Sequence, residues 1–149
     1  MRLLSKFIQL DPLSRRLLLK ASFLSTAFWI LLHVLPFPTV YVIMEKLVSG
    51  RGISRLDEPN IVSQIIWALS AASRRLLGKD TCLPQAMAAR VMFNRFGVPA
   101  KIKFGVKKSA GGELQAHAWV INGDVILIGG DGLDLASYSP LNHVNRTMP

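Results

Sequence analysis

The sequence predicts an α+β fold in which helices come first and a small antiparallel sheet follows. Apolar residues recur at helical spacing up to about Phe96, and beyond Pro99 they alternate with polar residues. The pair Asn122-Gly123 lies between two strand-like segments and is a strong hairpin signal. With 149 residues, of which 50% are hydrophobic, the chain suits one globular domain and is too apolar to be disordered throughout.

The first predicted helix begins at Asp11-Pro12 and runs to about Val34. Asp11 suits the N-cap, Pro12 suits the first turn, and the helix should stop before Pro36. A membrane span needs about 20 apolar residues, and the apolar part before Pro36 is shorter. We therefore expect a helix that is buried, docks a partner or lies in a membrane interface, with Phe28 and Leu31 on its docking face.

Charge is concentrated near the N-terminus. The chain carries a net charge of +9, and residues 1–56 hold eight Lys or Arg residues against Asp11 and Glu45, a net charge of +6. These basic residues flank an apolar run, which favours an anionic membrane surface or an acidic partner. A dense Lys/Arg block is absent from the sequence, so a nucleic-acid partner is not expected.

Three further helices are expected, the first of them short, over Val40–Leu47. The next begins near Asp57-Glu58-Pro59, and four residues form its apolar face: Ile61, Ile65, Leu69 and Ala72. The last covers Cys82–Phe96, with Asp80 or Thr81 as its cap and Gly97 as its stop. We divide the chain into a basic helical region (1–56), a core (57–141) and a tail (142–149).

Three strands are predicted after Pro99. Lys101, Lys103 and Lys107 alternate with apolar residues in the first strand, and Leu114–Ile121 and Asp124–Ile128 form the other two. With Asn122-Gly123 as the loop, Ile121 should face Asp124, and His117 should face Ile128. The segment from Leu133 onward should form a short helix or turn before a disordered end.

Cys82 and His117 are the candidate catalytic pair. A thiol at a helix N-terminus has its anion favoured by unpaired N–H groups and the helix dipole. A thiolate and a nearby imidazole together support acyl transfer through a thioester. A single cysteine cannot form an intrachain disulfide, and three scattered histidines lack ligand spacing. We therefore expect no metal and no cofactor.

A Cys–His pair usually has a third group that orients the imidazole. In the predicted register Asp124 lies about 13 Å along the ladder from His117, which is too far for a hydrogen bond. Asp131 follows Gly129-Gly130, where the chain can bend back, so we prefer Asp131, although an ordinary loop aspartate is the alternative.

Two further residues are candidates for the wall or the oxyanion site. Gln85 lies one turn into the nucleophile helix, although a solvated helix residue is the simpler interpretation. Trp119 shares a strand face with His117, and a core aromatic is the alternative interpretation.

Four segments carry a resemblance to a known family: Cys82-Leu83-Pro84-Gln85, Phe96-Gly97-Val98-Pro99-Ala100, Gly105-Val106-Lys107-Lys108 and Ala116-His117-Ala118-Trp119-Val120. In this order they resemble the lasso peptide biosynthesis B2 proteins, which are transglutaminase-like cysteine peptidases. The resemblance covers about Leu77–Leu141. It implies a papain-like or transglutaminase-like fold, with Cys82 as nucleophile and His117 as base. Many members carry an acidic residue where this chain has Gly129-Gly130, with Asp131 just beyond.

The resemblance implies removal of the leader from a lasso peptide precursor in the cytoplasm, at the membrane surface if the first helix docks there. It also implies a stand-alone peptidase that acts with a separate leader-recognition protein and passes the trimmed core to a lasso cyclase. A transglutaminase-type acyltransferase would use the same pair with an amine as acceptor. A non-catalytic, membrane-docked adaptor is the second alternative.

Overall fold

The computed structural model describes residues 7–50, 60–76, 81–130 and 134–141. Within these residues, four helices precede a four-stranded antiparallel sheet of order β3-β2-β1-β4, which confirms the α+β prediction. The elements are α1 (Pro12–Val34), α2 (Phe37–Val48), α3 (Ile61–Leu76), α4 (Cys82–Arg95), β1 (Lys101–Lys108), β2 (Leu114–Asn122), β3 (Val125–Ile128) and β4 (Ser139–Pro140).

Local capping signals place the ends of α1. The Asp11 carboxylate accepts a hydrogen bond of 3.0 Å from the backbone N–H of Ser14. Hydrogen bonding from Ser14, first from its side chain and then from its backbone, holds the pKa of the Asp11 carboxyl below its ordinary value. The predicted bounds of α1 are confirmed. Helix α2 begins three residues earlier than predicted, at Phe37, because a proline in the first turn of a helix needs no hydrogen-bond acceptor.

The core lies between the helices and one face of the sheet. Helix α1 packs against α3 and α4, and α4 packs against β2. The predicted apolar face of α3 is confirmed, since each of its four members is buried: Ile61, Ile65, Leu69 and Ala72. Buried side chains from α1 and α2 belong to the same hydrophobic cluster as those of α4 and the sheet.

The outer surface of α1 differs from the expectation. Phe28 is 1% exposed, and Leu31 is partly buried against the core, so neither forms an open docking face. Four of the large apolar side chains that α1 exposes form a stripe at helical spacing, which we call the α1 stripe: Leu19, Phe23, Ile30 and Val34. By length and composition alone, α1 is the one helix in the described part of the chain that could cross a membrane, and 28% of its most apolar window is buried.

An ion pair between the buried Arg90 and the half-buried Glu45 joins α2 to the helix that carries Cys82. Arg90 of α4 lies with Nη2 2.7 Å from Oε1 of Glu45, and its Nη1 donates a 2.8 Å hydrogen bond to the Tyr41 hydroxyl. Burial raises the pKa of Tyr41, so the phenol stays neutral beside this pair. The pair fixes α4 against α2 at mid-helix.

Replacing Glu45 by alanine should destabilise the fold, because the buried Arg90 guanidinium would lose its ion pair with Glu45. Breaking a buried pair from one side costs several kcal/mol, and we expect a loss of about 3 kcal/mol in the free energy of unfolding. Urea denaturation of Glu45→Ala measures this loss. The matched control is Glu113→Ala, an exposed position where the change should stay within about 0.5 kcal/mol. Equal stabilities of the two variants would contradict the prediction.

The β2–β3 hairpin is present, but its predicted register is wrong. Asn122 pairs with Val125, so Gly123 and Asp124 are the loop residues instead of Asn122 and Gly123. Gly123 has φ 58°, which is the requirement for the first loop residue of a type II′ turn. An irregularity between Val120 and Ile121 shifts the pairing again, so Val120, not His117, faces Ile128.

The chain after β3 partly follows the prediction. A short 3₁₀ turn over Leu135–Ser137 agrees with the expected helix or turn. The two residues of β4 were not predicted, and they pair with Gly105 and Val106 at the edge of β1. Residues 142–149 of the predicted tail lie outside the described part.

Candidate active site

His117 lies on β2, half-buried, with one ring nitrogen already engaged. Its Nε2 lies 2.6 Å from the backbone oxygen of Gly129. A carbonyl oxygen can only accept a hydrogen bond, so Nε2 must carry the proton. In the neutral imidazole, Nδ1 is then the unprotonated nitrogen, and it can act as a base.

Gly129 can reach the imidazole because it has no side chain. Its φ is 86°, in the left-handed region. A Cβ at this position would lie 3.0 Å from the backbone oxygen of Ala118 and 3.0 Å from Cβ of Trp119. The glycine pair after β3 was predicted to let the chain bend. Gly129 lies close against β2, and this position presents its carbonyl to His117.

Two aromatic rings flank the imidazole. Trp119 stacks on His117 with ring centroids 6.1 Å apart and an angle of 17° between the planes. The ring of Tyr138 lies 5.6 Å from that of His117 and 6.3 Å from that of Trp119. The prediction that Trp119 shares a face with His117 agrees with this stacking. Tyr138 was missed, because it lies in a segment without periodicity.

Gly105 leaves room for this aromatic cluster. It pairs directly with His117 across β1 and β2, and a Cβ there would lie 2.9 Å from Cβ of Tyr138 and 3.0 Å from the ring of Trp119. The sequence contained a signal for this role, because a glycine interrupts the alternation of β1 at the position that faces the histidine.

Cys82 is the first residue of α4, as predicted, and is half-buried. Thr81 occupies the N-cap position without a side-chain hydrogen bond, and Asp80 lies outside the described residues. The first hydrogen bond of the helix is donated by the backbone of Gln85 to Thr81. Backbone N–H groups before Gln85 therefore have no acceptor within the helix, which favours a thiolate or an oxyanion at this end.

The structure does not show the thiol and the imidazole in contact. No hydrogen bond joins Cys82 to His117 among the described residues. Ala118 and Val120 of β2 are buried in the core that α4 shares, and His117 points to the other face of the strand. Pairing of Cys82 with His117 therefore stays a prediction of the sequence.

Gln85, a predicted oxyanion or wall residue, and Asp124, which was predicted to lie too far away, form no bond to His117 in the described structure. The Gln85 side chain is half-buried one turn into α4, where no described residue forms a hydrogen bond with it. Asp124 is exposed in the hairpin loop and forms no bond to the imidazole. Asp131 lies outside the described residues. No group of three or more potential metal ligands occurs within the described part of the chain.

Comparison with known proteins assigns the family. The profile of the Transglutaminase-like superfamily matches residues 30–143, which is well over half of the chain and includes both Cys82 and His117. No curated protein and no solved structure matches the chain. The chain therefore belongs to the transglutaminase-like superfamily, which includes cysteine peptidases and acyltransferases.

Proposed function

We propose that this protein is a cysteine peptidase that removes the leader from a lasso peptide precursor. The observation that carries the proposal is the bond from His117 Nε2 to Gly129, which leaves Nδ1 as a base in a chain whose only thiol lies at a helix start. Membership of the transglutaminase-like superfamily supports thiol chemistry. The resemblance of four segments to the B2 proteins supports the precursor as substrate.

In the proposed reaction, the Cys82 sulfur attacks the carbonyl carbon at the leader–core junction, and Nδ1 of His117 takes the thiol proton. The proton then passes to the leaving amine, and the C–N bond breaks to give a thioester. Water, activated by the same nitrogen, hydrolyses the thioester and restores the thiol. Backbone N–H groups at the start of α4 would stabilise the oxyanion in both steps.

Product masses distinguish hydrolysis from acyl transfer. A peptidase yields a free leader and a free core, whose summed mass exceeds that of the precursor by one water. An acyltransferase joins the acyl group to an added amine, so a product appears at the mass of the amide. Incubation of the protein with precursor and an excess of a small primary amine therefore tests the proposal, and an amide as the dominant product would replace peptidase by acyltransferase.

We further infer that the α1 stripe docks the separate leader-recognition protein. The stripe leaves large apolar side chains without cover: Phe23 and Val34 are each 72% exposed. Beside it, an apolar groove of about 340 Å³ lies between α1, α2 and α4, with Lys20 and Arg95 at its rim. An apolar groove with cationic edges suits a partner segment that carries both apolar and acidic side chains.

The double variant Phe23→Glu/Val34→Glu should abolish most stimulation by the recognition protein and leave the slower partner-free cleavage unchanged. We expect at least a tenfold loss of stimulation, because two charges would enter an apolar interface. Rates measured with and without the recognition protein test this. The control is Leu114→Glu, since Leu114 is 71% exposed but lies on β2. Undiminished stimulation, combined with loss of binding to anionic vesicles, would assign the stripe to a membrane instead.

A further inference from the structure

Lysine side chains follow the outer face of β1 on both sides of Gly105. Lys103 pairs with Trp119 and Gly105 with His117, so residues at odd positions of β1 share the face that carries the imidazole. Three lysines therefore lie on this face: Lys101, Lys103 and Lys107. In the part of the chain that the structure describes, none of the three forms an ion pair.

An open groove of about 550 Å³ lies on the same face. Trp119 and Ile121 of β2 line it together with Lys103, Tyr138 and Pro140, and Asp124 marks its end at the hairpin. A volume of this size is typical of a site for a small ligand or a few side chains. Its surface combines two aromatic rings with an ammonium group.

The groove adjoins the candidate catalytic histidine. Trp119 is shared, because its indole stacks on His117 and also lines the groove. Ile121 lies four residues beyond His117 on β2, so the groove extends roughly 13 Å from the imidazole along the strand. That length matches about four residues of an extended peptide. A peptide whose scissile bond lies at His117 would therefore place its next residues in the groove.

Charge and ring chemistry indicate which residues these are. Among the described residues of this face, three lysines stand against the carboxylate of Asp124, and this excess of positive charge attracts acidic side chains. The ammonium of Lys107 already lies 4.6 Å from the ring centroid of Tyr138, so Tyr138 is held in place beside a cation. The half-buried rings of Trp119 and Tyr138 offer flat apolar surface to aromatic or aliphatic side chains.

We propose that this groove binds the peptide segment beside the scissile bond and selects acidic residues together with aromatic or aliphatic ones. The inference deepens the proposed peptidase function and rests on it. An extended peptide that lies over this face would meet both the lysines and the rings, since Lys103 pairs with Trp119 and Lys107 lies beside Tyr138.

Binding to the inactive Cys82→Ala protein tests the groove. Two fluorescein-labelled hexapeptides serve as probes, one with alternating Glu and Phe and one with alternating Lys and Phe, and anisotropy gives each Kd. The acidic peptide should bind at least tenfold more tightly, and added salt should reduce the difference. In Lys103→Glu/Lys107→Glu the acidic peptide should lose about tenfold in affinity, because two weak attractions become repulsions. The basic peptide should gain affinity in that variant.

The matched control is Lys46→Glu, which reverses an exposed charge on α2 and should change neither Kd by more than about twofold. Equal affinity of the two peptides for the protein that keeps Lys103 and Lys107 would overturn the proposal. A loss of affinity for the acidic peptide in Lys46→Glu as large as that in Lys103→Glu/Lys107→Glu would also overturn it. Because binding is measured without the thiol, loss of selectivity rejects the groove alone. Conversely, a wild-type protein that selects the acidic peptide but cleaves no precursor would reject the peptidase function alone.

Discussion

Replacement of Cys82 by alanine is expected to abolish precursor cleavage and to leave the fold intact. The proposed reaction has no other nucleophile, because Cys82 is the only thiol of the chain. Removing the nucleophile of such a catalytic unit costs about 10⁴-fold to 10⁶-fold in turnover. Initial rates of leader release, measured by mass spectrometry on protein with an unchanged circular dichroism spectrum, provide the measurement. Cleavage at the native rate would exclude thiol catalysis.

Replacement of His117 by alanine should be nearly as severe, because the thiol would lose its base. We expect a loss of about 10³-fold or more, and the double variant should be no slower than Cys82→Ala, since residues that act in one step have non-additive effects. His33→Ala is the matched control. His33 is an exposed histidine of α1 that binds the backbone oxygen of Trp29, and its loss should not slow cleavage. A double variant much slower than either single variant would argue against a shared step.

Helix bounds were predicted well because their signals are local. Asp11-Pro12 begins α1 through a side-chain bond that spans three residues, and Cys82 begins α4 directly after Thr81. The apolar face of α3 was also predicted, since burial against any core requires the same spacing. Phe28 shows the limit of this reasoning. A long apolar helix has apolar residues on every side, so the sequence alone does not indicate which of them the core covers.

The register of the hairpin and the partner of His117 could not be predicted from local sequence signals. The sequence predicted a tight turn, but the choice between two possible loops and the shift beyond Val120 depend on how β3 packs. The different loop and the register shift each change which residue of the hairpin faces His117. The group found to hold the imidazole is a backbone carbonyl, and a carbonyl has no residue type for a sequence pattern to reveal. Only Gly129, the glycine that carries this carbonyl, was recognisable in the sequence.

A third large effect concerns the Gly129 carbonyl. Gly129→Ala should reduce kcat about 100-fold with little change in KM, because a Cβ would meet Ala118 and Trp119 at 3.0 Å and force the carbonyl away from His117. A general base contributes about 10²-fold to 10⁴-fold, and misorientation of the imidazole forfeits part of that factor. Nitrogen NMR of the histidine supplies an independent measurement, since the Nε2-protonated tautomer should dominate in wild type and lose its dominance in the variant.

The matched control is Gly112→Ala. Gly112 also has a left-handed φ, +82°, but nothing lies within 4 Å of its added Cβ, so this variant bears the same backbone strain away from the site. It should keep both kcat and the tautomer.

Asp131→Asn decides between the two candidate orienting groups, the Gly129 carbonyl and the Asp131 carboxylate. If the carbonyl fixes the imidazole, Asp131→Asn should change kcat less than Gly129→Ala does. A normal rate in Gly129→Ala together with a 100-fold loss in Asp131→Asn would instead show that the carboxylate orients His117, as the sequence first indicated.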